Sequence, residues 1–411
     1  MNTILTVSMS VEKEASIYPI SKRIAVLDIL RGFALFGIFM VNAEIMNCVF
    51  MNQDTFSQQW TTPIDRLAVR VQQFFFYGKF FPIFSFLFGV GISIQFLSLK
   101  RKGISMTFFY RRMGALFLFG IGHILFLWSG DVIHLYALLG LCILFLIRWK
   151  PKNLLLLAGC IFLFPFYNTI FEWVLSTTGY QPESYLANYK PDDIVQVIRE
   201  GSYRDGMGLR IQEYKSNVAV LFLSLMPIAF AMFILGLTIG KKGWLQDIDK
   251  WIQQIKKPVL WIAVLSNIYR VFFLFFLWET AIWKAPFWRD TFIYLMHICD
   301  TLMALFYVWL IVYLYQYRFW KKILSPLQYA GRMALTNYLL QSAIGLFIFS
   351  SIGLHWYQTL SPSQTIGLAI VVFMVQVLLS KLWLQFFKFG PLEWVWRCIS
   401  YWKVLGIRKG D

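Results

Sequence analysis

The chain has 411 residues, of which 58% are hydrophobic and only 14% are charged. Soluble domains carry about 25% charged residues, so this composition excludes an ordinary soluble enzyme or binding module. The formal net charge of +17 is high enough for nucleic-acid binding, but the Lys and Arg residues collect between apolar segments instead of forming one basic face. Nucleic acid is therefore not an expected partner, and the composition predicts a membrane protein.

Ten apolar segments follow one another along the chain, most of them long enough to cross a bilayer. Residues 1–23 precede them and mix charged residues with Pro19, without the apolar run of a secretory signal. We predict an all-α, polytopic integral membrane bundle. Its transmembrane helices are expected at 24–46, 74–98, 108–128, 132–148, 154–176, 217–240, 258–278, 291–316, 333–351 and 363–387.

Basic residues fill every second connection between these spans, as the positive-inside rule requires of cytoplasmic loops. The connections after spans two, four, six, eight and ten carry them, among them Lys100, Arg101, Arg111, Arg112, Arg148, Lys150, Lys241, Lys242, Arg332, Lys388 and Arg397. The pattern predicts a cytoplasmic tail at 1–23, a transmembrane bundle at 24–388 with an external segment at 177–216, and a cytoplasmic interfacial segment at 389–411. Both termini are then cytoplasmic, and anionic membrane lipids are expected partners.

The first span places Asp28, Arg31 and Asn42 in apolar surroundings. Ionisable groups are energetically costly there, and they usually form ion pairs or have a functional role. Asp28 and Arg31 are three residues apart, so they share a helix face and can form an ion pair. Two interpretations stand side by side. The pair is a structural clamp between helices, or Arg31 binds a phosphate group. Asn42 can donate to an oxyanion or bond a neighbouring helix.

Spans three and four form a hairpin whose turn contains Asp131, with His123 eight residues earlier. A histidine held by a carboxylate is a common general base. The alternative is a neutral His123 bonded to a backbone carbonyl, and His134 is a weaker candidate that points into the interface. Elsewhere, Arg270 in span seven and Asp300 in span eight predict an internal salt-bridge network.

Span nine is the most polar uncharged span, and Asn337 and Gln341 share one of its faces at i, i+4. That face is either a hydrogen-bonding seam or the wall of a site. Energetics predict that these residues, His123, Asp131, Asn42 and the Asp28–Arg31 pair converge on one cavity, because polar groups at membrane depth need partners or water. The sequence has no Walker A, HExxH, GxSxG or CxxC motif and no cysteine pair with metal spacing, so no metal is expected.

The motifs LDILRG, FPIFSFLFGVG, GH followed by SGD, GRMALTNYLLQS and GPLEWVWR together resemble the YeiB-like family of bacterial membrane proteins, a family of unknown function. They extend over nearly the whole chain. The LDILRG motif, its downstream Asn and the FPIFSFLFG span also resemble the heparan-α-glucosaminide N-acetyltransferase group of membrane acyltransferases. One departure stands out. That group has a catalytic histidine soon after the Asn, where this chain has Ala43, Glu44 and Asn47.

The acyltransferase resemblance implies a multi-pass protein of the bacterial plasma membrane that takes an acyl group, such as acetyl, from cytoplasmic acyl-CoA. The acceptor would be a small-molecule or lipid-linked compound. Asp28, Arg31 and Asn42 then match positions near the donor channel, with Asn337 and Gln341 as further binding candidates. His123, oriented by Asp131, would be the base, with Asn42 polarising the carbonyl. A transporter or exporter using the same polar groups, a non-catalytic scaffold and a homo-oligomer remain alternatives.

Overall fold

The computed structural model describes residues 24–103, 105–277 and 280–410, so the predicted N-terminal tail at 1–23 lies outside the described residues. Across these ranges the regular structure is helical, and no β-strand occurs in them. The α-helices are α1 (Ala25–Asn47), α2 (Gln53–Gln59), α3 (Pro63–Val71), α4 (Phe80–Lys102), α5 (Thr107–Phe126), α6 (Ile133–Leu146), α7 (Pro151–Phe162), α8 (Tyr167–Thr178), α9 (Pro191–Arg199), α10 (Tyr203–Val220), α11 (Met226–Lys241), α12 (Ile248–Gln254), α13 (Lys256–Phe275), α14 (Pro286–Tyr315), α15 (Arg318–Leu324), α16 (Leu327–Arg332), α17 (Ala334–Phe349), α18 (Pro362–Phe386) and α19 (Pro391–Tyr401).

Six helical stretches within the described ranges are long and apolar enough to cross a membrane. They are α1, Pro63–Arg101, Tyr203–Lys241, α13, α14 and α18. Shorter apolar helices, among them α6, α7 and α17, lie between them. The predicted all-α polytopic membrane bundle is confirmed.

Two predicted boundaries are wrong for local reasons. The fifth predicted span, 154–176, is two helices, because α7 ends at Phe162 and α8 begins at Tyr167. Pro165 lies in the gap, and proline cannot donate a backbone hydrogen bond to a continuing helix. The sixth predicted span, 217–240, also begins earlier than expected. Ser202 caps the start of α10 through a capping box with Asp205, and the helix then continues through a wide turn at Leu221–Leu225 into α11.

Glycines bring the backbones of α1 and α16 into direct contact. A Cβ on Gly32 would stand 2.1 Å from the carbonyl oxygen of Leu327, and one on Gly331 would stand 1.9 Å from that of Asp28. The glycines of the LDILRG and GRMALTN motifs therefore face each other's helices, and only Gly fits at either position. Helices α4 and α11 cross in the same way at Gly89, where a Cβ would meet the Phe233 carbonyl oxygen at 2.1 Å.

A charged cluster closes the break between α3 and α4. Here the chain leaves helical geometry through a wide turn and Gly78, whose φ is +74°. Lys79 Nζ lies 2.8 Å from Asp300 Oδ1, and Arg270 Nε lies 2.9 Å from the same oxygen. Arg270 also donates to the carbonyl of Phe74. The predicted Arg270–Asp300 network is thus present, with Lys79 as an additional member that satisfies the interrupted backbone.

Candidate functional site

A histidine–aspartate cluster joins the end of α5 to the start of α6. Asp131 Oδ1 lies 2.8 Å from His123 Nδ1, and Asp131 Oδ2 lies 2.7 Å from His134 Nδ1 and 2.9 Å from the His134 backbone nitrogen. An ionised carboxylate only accepts hydrogen bonds, so both imidazoles carry their proton on Nδ1. The sequence pairing of His123 with Asp131 is confirmed, and the carboxylate is shared with His134.

This arrangement leaves His123 Nε2 as a hydrogen-bond acceptor inside the bundle. His123 is 1% exposed, and Nε2 has no hydrogen-bond partner among the described residues. His134 differs, because its Nε2 lies 3.0 Å from the Tyr214 hydroxyl. Two aromatic rings flank His123, with centroid distances of 5.2 Å to Tyr338 and 6.4 Å to Trp128. Of the two histidines, His123 therefore has the nitrogen free to take a proton.

A cavity of about 430 Å³ opens on one side of this cluster and is named here the arginine-lined cavity. Its walls come from α1, α4, α5, α6, α16, α17 and α19, and Tyr338 closes it on the side of His123. Four arginines from different parts of the chain line it, namely Arg31, Arg112, Arg332 and Arg397. Glu393 is the one carboxylate among the lining residues.

Among the described residues that line this cavity, arginines outnumber carboxylates. Arg31 pairs with Asp28 at 2.9 Å, as the spacing of the two residues predicts. Arg112 stacks on the Trp396 ring at 3.5 Å from its centroid and experiences repulsion from Arg397 and Arg31. An anion in the cavity would relieve that repulsion. The wall is thus suited to a ligand with several negative charges.

The Glu393 side chain caps the start of α17. Its Oε1 accepts from the backbone nitrogens of Leu335 at 2.7 Å and Thr336 at 3.1 Å, and its Oε2 accepts from the Thr336 hydroxyl. Burial raises the pKa of this carboxyl above 4.5. The GPLEWVWR and GRMALTN motifs meet here, although Thr336 and Glu393 are 57 positions apart, a separation that local spacing patterns do not detect.

A second and smaller cavity, of about 80 Å³, lies toward the other ends of the same helices. Helices α1, α5 and α17 each contribute residues from their first half to the arginine-lined cavity. Residues at or just beyond their C-terminal ends, Met46, Trp128 and Phe349 among them, line the small cavity. The three helices therefore run in the same direction. His123 lies in the partition between the cavities, between Tyr338 on one side and Trp128 on the other.

The other candidate residues do not share this space. The expectation that Asn337 and Gln341 wall the cavity is wrong, because they form a seam with α18. Asn337 donates to Ser380 Oγ at 2.9 Å, and Gln341 donates to Gln376 Oε1 at 3.0 Å. Both amide groups thus donate to partners on α18. The neighbouring Tyr338 lines the cavity. Asn42 is half-buried and lines neither cavity, and Asp28 reaches the cavity only through Arg31.

From the sequence, the positive-inside rule alone explains three of the cavity arginines. They are Arg112, Arg332 and Arg397. Arg332 lies on α16, which packs against the first span, whereas Arg112 and Arg397 lie on α5 and α19, which pack against each other. A signal was present in the sequence, since each lies in or beside a distinctive motif or an apolar span. Within the described ranges, no group of three or more His, Cys, Asp and Glu residues is arranged to hold a metal ion.

Comparison with known proteins places the chain among bacterial membrane proteins. The model of the family described as "Protein of unknown function (DUF418)" matches residues 239–403. The chain is 32% identical to "Uncharacterized protein YxaH" of Bacillus subtilis, over 93% of this chain and 95% of that protein. It is 26% identical to "Uncharacterized protein YeiB" of Escherichia coli, over 92% of this chain and 96% of that protein. This chain therefore belongs to the YeiB-like family of membrane proteins that contain the DUF418 domain.

Proposed function

We propose that this protein is a membrane-embedded acyltransferase that uses an acyl-CoA donor. The observation that carries the proposal is the arginine-lined cavity, which ends at Tyr338 against His123. Arginine forms bidentate, charge-assisted hydrogen bonds with phosphate oxygens. Coenzyme A carries its phosphates at one end and the acyl thioester at the other, joined by a long flexible arm. A donor held at the arginines would direct its thioester toward the partition.

The distance along α5 suits such a donor. Arg112 and His123 lie on the same helix, eleven residues apart, which corresponds to about 16 Å of helix rise. The pantetheine arm would span that separation. The positive-inside rule assigns the arginine end of these helices to the cytoplasm, where acyl-CoA is made. The protein would then lie in the bacterial plasma membrane with both termini in the cytoplasm, and the small cavity would face outward.

His123 would serve as the general base. Its Nε2 takes the proton from an acceptor hydroxyl or amine, and the acceptor oxygen or nitrogen then forms a bond to the thioester carbonyl carbon. The carbon–sulfur bond breaks, and the CoA thiolate leaves with the proton that His123 had taken. Asp131 stabilises the imidazolium through Nδ1 during this step. The chemistry uses the histidine that the acyltransferase resemblance requires, but from α5 instead of α1.

Donor binding tests the proposal with a matched pair of variants. Arg112 lines the cavity, whereas its neighbour Arg111 packs on Trp402 and does not. We expect acetyl-CoA to raise the thermal unfolding midpoint of the purified protein in detergent. Arg112→Gln should weaken acetyl-CoA binding by about ten- to a hundredfold, because one charge-assisted contact is lost, and Arg111→Gln should not. Equal effects of the two variants, or no stabilisation by acetyl-CoA, would contradict donor binding in this cavity.

The rate of turnover tests whether His123 is the general base. Release of free CoA from acetyl-CoA should be measured with membranes as the acceptor source. His123→Gln should lower the rate by about 10²- to 10⁴-fold, as expected for removal of a general base, while acetyl-CoA still stabilises the variant. Unchanged turnover in His123→Gln would remove His123 from the mechanism.

One observation also favours a transporter as a second candidate. The two cavities lie toward opposite ends of the same three helices, with Tyr338, His123 and Trp128 between them, as in an occluded transporter. Liposomes with the reconstituted protein distinguish the two. Movement of an anionic solute across the bilayer without consumption of acetyl-CoA supports transport, whereas CoA release without solute movement supports acyl transfer.

A further inference from the structure

The small cavity contains buried polar groups that the proposed chemistry does not use. Arg210 is 8% exposed and lines this cavity. Its Nε donates to the Leu125 carbonyl at 3.4 Å, but its Nη2 has no hydrogen-bond partner among the described residues. Ser342, 1% exposed, lines the same cavity, and its Oγ also lacks a described partner. Two unsatisfied buried groups at one cavity indicate a polar ligand or ordered water there.

A carboxylate faces the same space from the same helix. Glu213 lies one helical turn after Arg210 and also lines the cavity. Its Oε2 accepts a hydrogen bond from Ser129 Oγ at 2.8 Å. Glu213 and Arg210 are both described, yet no salt bridge joins them, and the Arg210 guanidinium packs instead over the Tyr203 ring at 5.1 Å. A guanidinium and a carboxyl group thus line one small cavity without a direct ion pair between them.

We propose that the small cavity binds a zwitterionic group, with an anion on Arg210 and Ser342 and an ammonium on Glu213. The identification of this group as part of the acyl acceptor rests on the proposed function. The binding of a zwitterion in this cavity does not. A cavity needs about 10–15 Å³ to hold one water molecule. The small cavity, of about 80 Å³, therefore accommodates a group of a few heavy atoms. Trp128 forms one wall and also packs on His123, which brings the bound group next to the partition.

Two compounds carry this chemistry from different sources. Glycine presents a carboxylate and an ammonium as a free small molecule, and O-phosphoethanolamine presents a phosphate and an ammonium as a lipid headgroup does. Acetate and ethylamine carry the single charges and serve as ligand controls at matched ionic strength. Arg210→Gln and Glu213→Gln each remove one charge from the cavity. Arg204→Gln is the matched control, because Arg204 is exposed on the same helix.

Thermal unfolding of the full-length protein in detergent tests the site. If the bound group is a free small molecule, we expect glycine to raise the unfolding midpoint more than acetate or ethylamine do. If it is a lipid headgroup, we expect O-phosphoethanolamine to do so. The shift should disappear in Arg210→Gln and Glu213→Gln and persist in Arg204→Gln. If the charge variants do not fold, Ser342→Ala should raise the dissociation constant of the active compound by about threefold to thirtyfold, because one hydrogen bond is lost. No shift with either zwitterion, or equal shifts in Arg204→Gln and Arg210→Gln, would overturn the proposal.

Acetyl-CoA added to the same samples separates this inference from the proposed function. A zwitterion shift without any acetyl-CoA shift would keep the site and remove the acyltransferase. An acetyl-CoA shift without a zwitterion shift would keep the acyltransferase and remove this site.

Discussion

The buried cluster of Lys79, Arg270 and Asp300 leads to an unequal pair of stability predictions. It holds two cations and one anion, and Lys79 and Arg270 are completely buried. Asp300→Asn leaves both cations without a counter-charge inside the bundle. Removing one partner of a buried ion pair costs about 3–5 kcal/mol, and here the remaining charges also repel each other. We expect a loss at the upper end of that range.

Lys79→Met has the opposite effect on the charge balance. It leaves the neutral pair of Arg270 and Asp300, whose contact of 2.9 Å is kept. The variant loses the Lys79 hydrogen bonds to the backbone of the interrupted helix, including that to the Tyr77 carbonyl. Such a loss costs about 1–2 kcal/mol. Asp300→Asn should therefore be about 3–4 kcal/mol more destabilising than Lys79→Met, although each change removes one charge from the cluster.

The measurement is the free energy of unfolding of each variant by titration with sodium dodecyl sulfate in mixed micelles. The double variant Lys79→Met with Asp300→Asn completes a double-mutant cycle, and it should be less destabilised than the sum of the single changes. Equal losses in the two single variants would refute the argument from charge balance. So would a fully additive double variant, because additivity means that the two groups do not interact.

Three further predictions follow from contacts between helices. Burial raises the pKa of Glu393 above 4.5, so the folded protein holds this proton more tightly than the unfolded chain. Stability should then fall as the pH rises above 4.5, and Glu393→Gln should flatten that fall in unfolding midpoints measured across the interval. Gly331→Ala places a Cβ 1.9 Å from the carbonyl oxygen of Asp28 and should cost about 1–3 kcal/mol or more in the same titration, whereas Gly114→Ala, with open space around it, should not destabilise. Asp65 accepts hydrogen bonds of 3.1 and 2.7 Å from the first turn of α18, so Asp65→Ala should cost about 1–2 kcal/mol, and an unchanged free energy of unfolding would contradict a capping role.

The sequence predicted those parts of the site that depend on local spacing. The Asp28–Arg31 pair follows from the i, i+3 spacing of one helix, and the His123–Asp131 pair follows from a short hairpin. Both are short-range consequences of helix geometry. The all-α membrane class follows from hydropathy for the same reason, because bilayer thickness sets the length of each apolar run.

Residue spacing and hydropathy do not predict contacts between segments that are distant in the sequence. Asn337 and Gln341 share a helix face, but spacing does not say whether that face meets a cavity or α18. The roles of Arg112 and Arg397 were also ambiguous in the sequence. A basic residue at the cytoplasmic end of a span obeys the positive-inside rule whether or not it lines a cavity. A helix face and a charge bias therefore identify candidates, and only the packing of the helices decides among them.

The origin of the cavity walls has a consequence for biosynthesis. Arg31 comes from the first helix of the described chain, and Arg397 comes from α19, the last. Because a ribosome delivers the chain from the N-terminus onward, the first arginine enters the membrane while the residues that complete its surroundings are still unmade. A nascent or truncated chain that stops before α19 has an open space in place of this wall, and α17 begins without its Glu393 cap. The complete wall of the arginine-lined cavity can therefore form only after α19 has been synthesised.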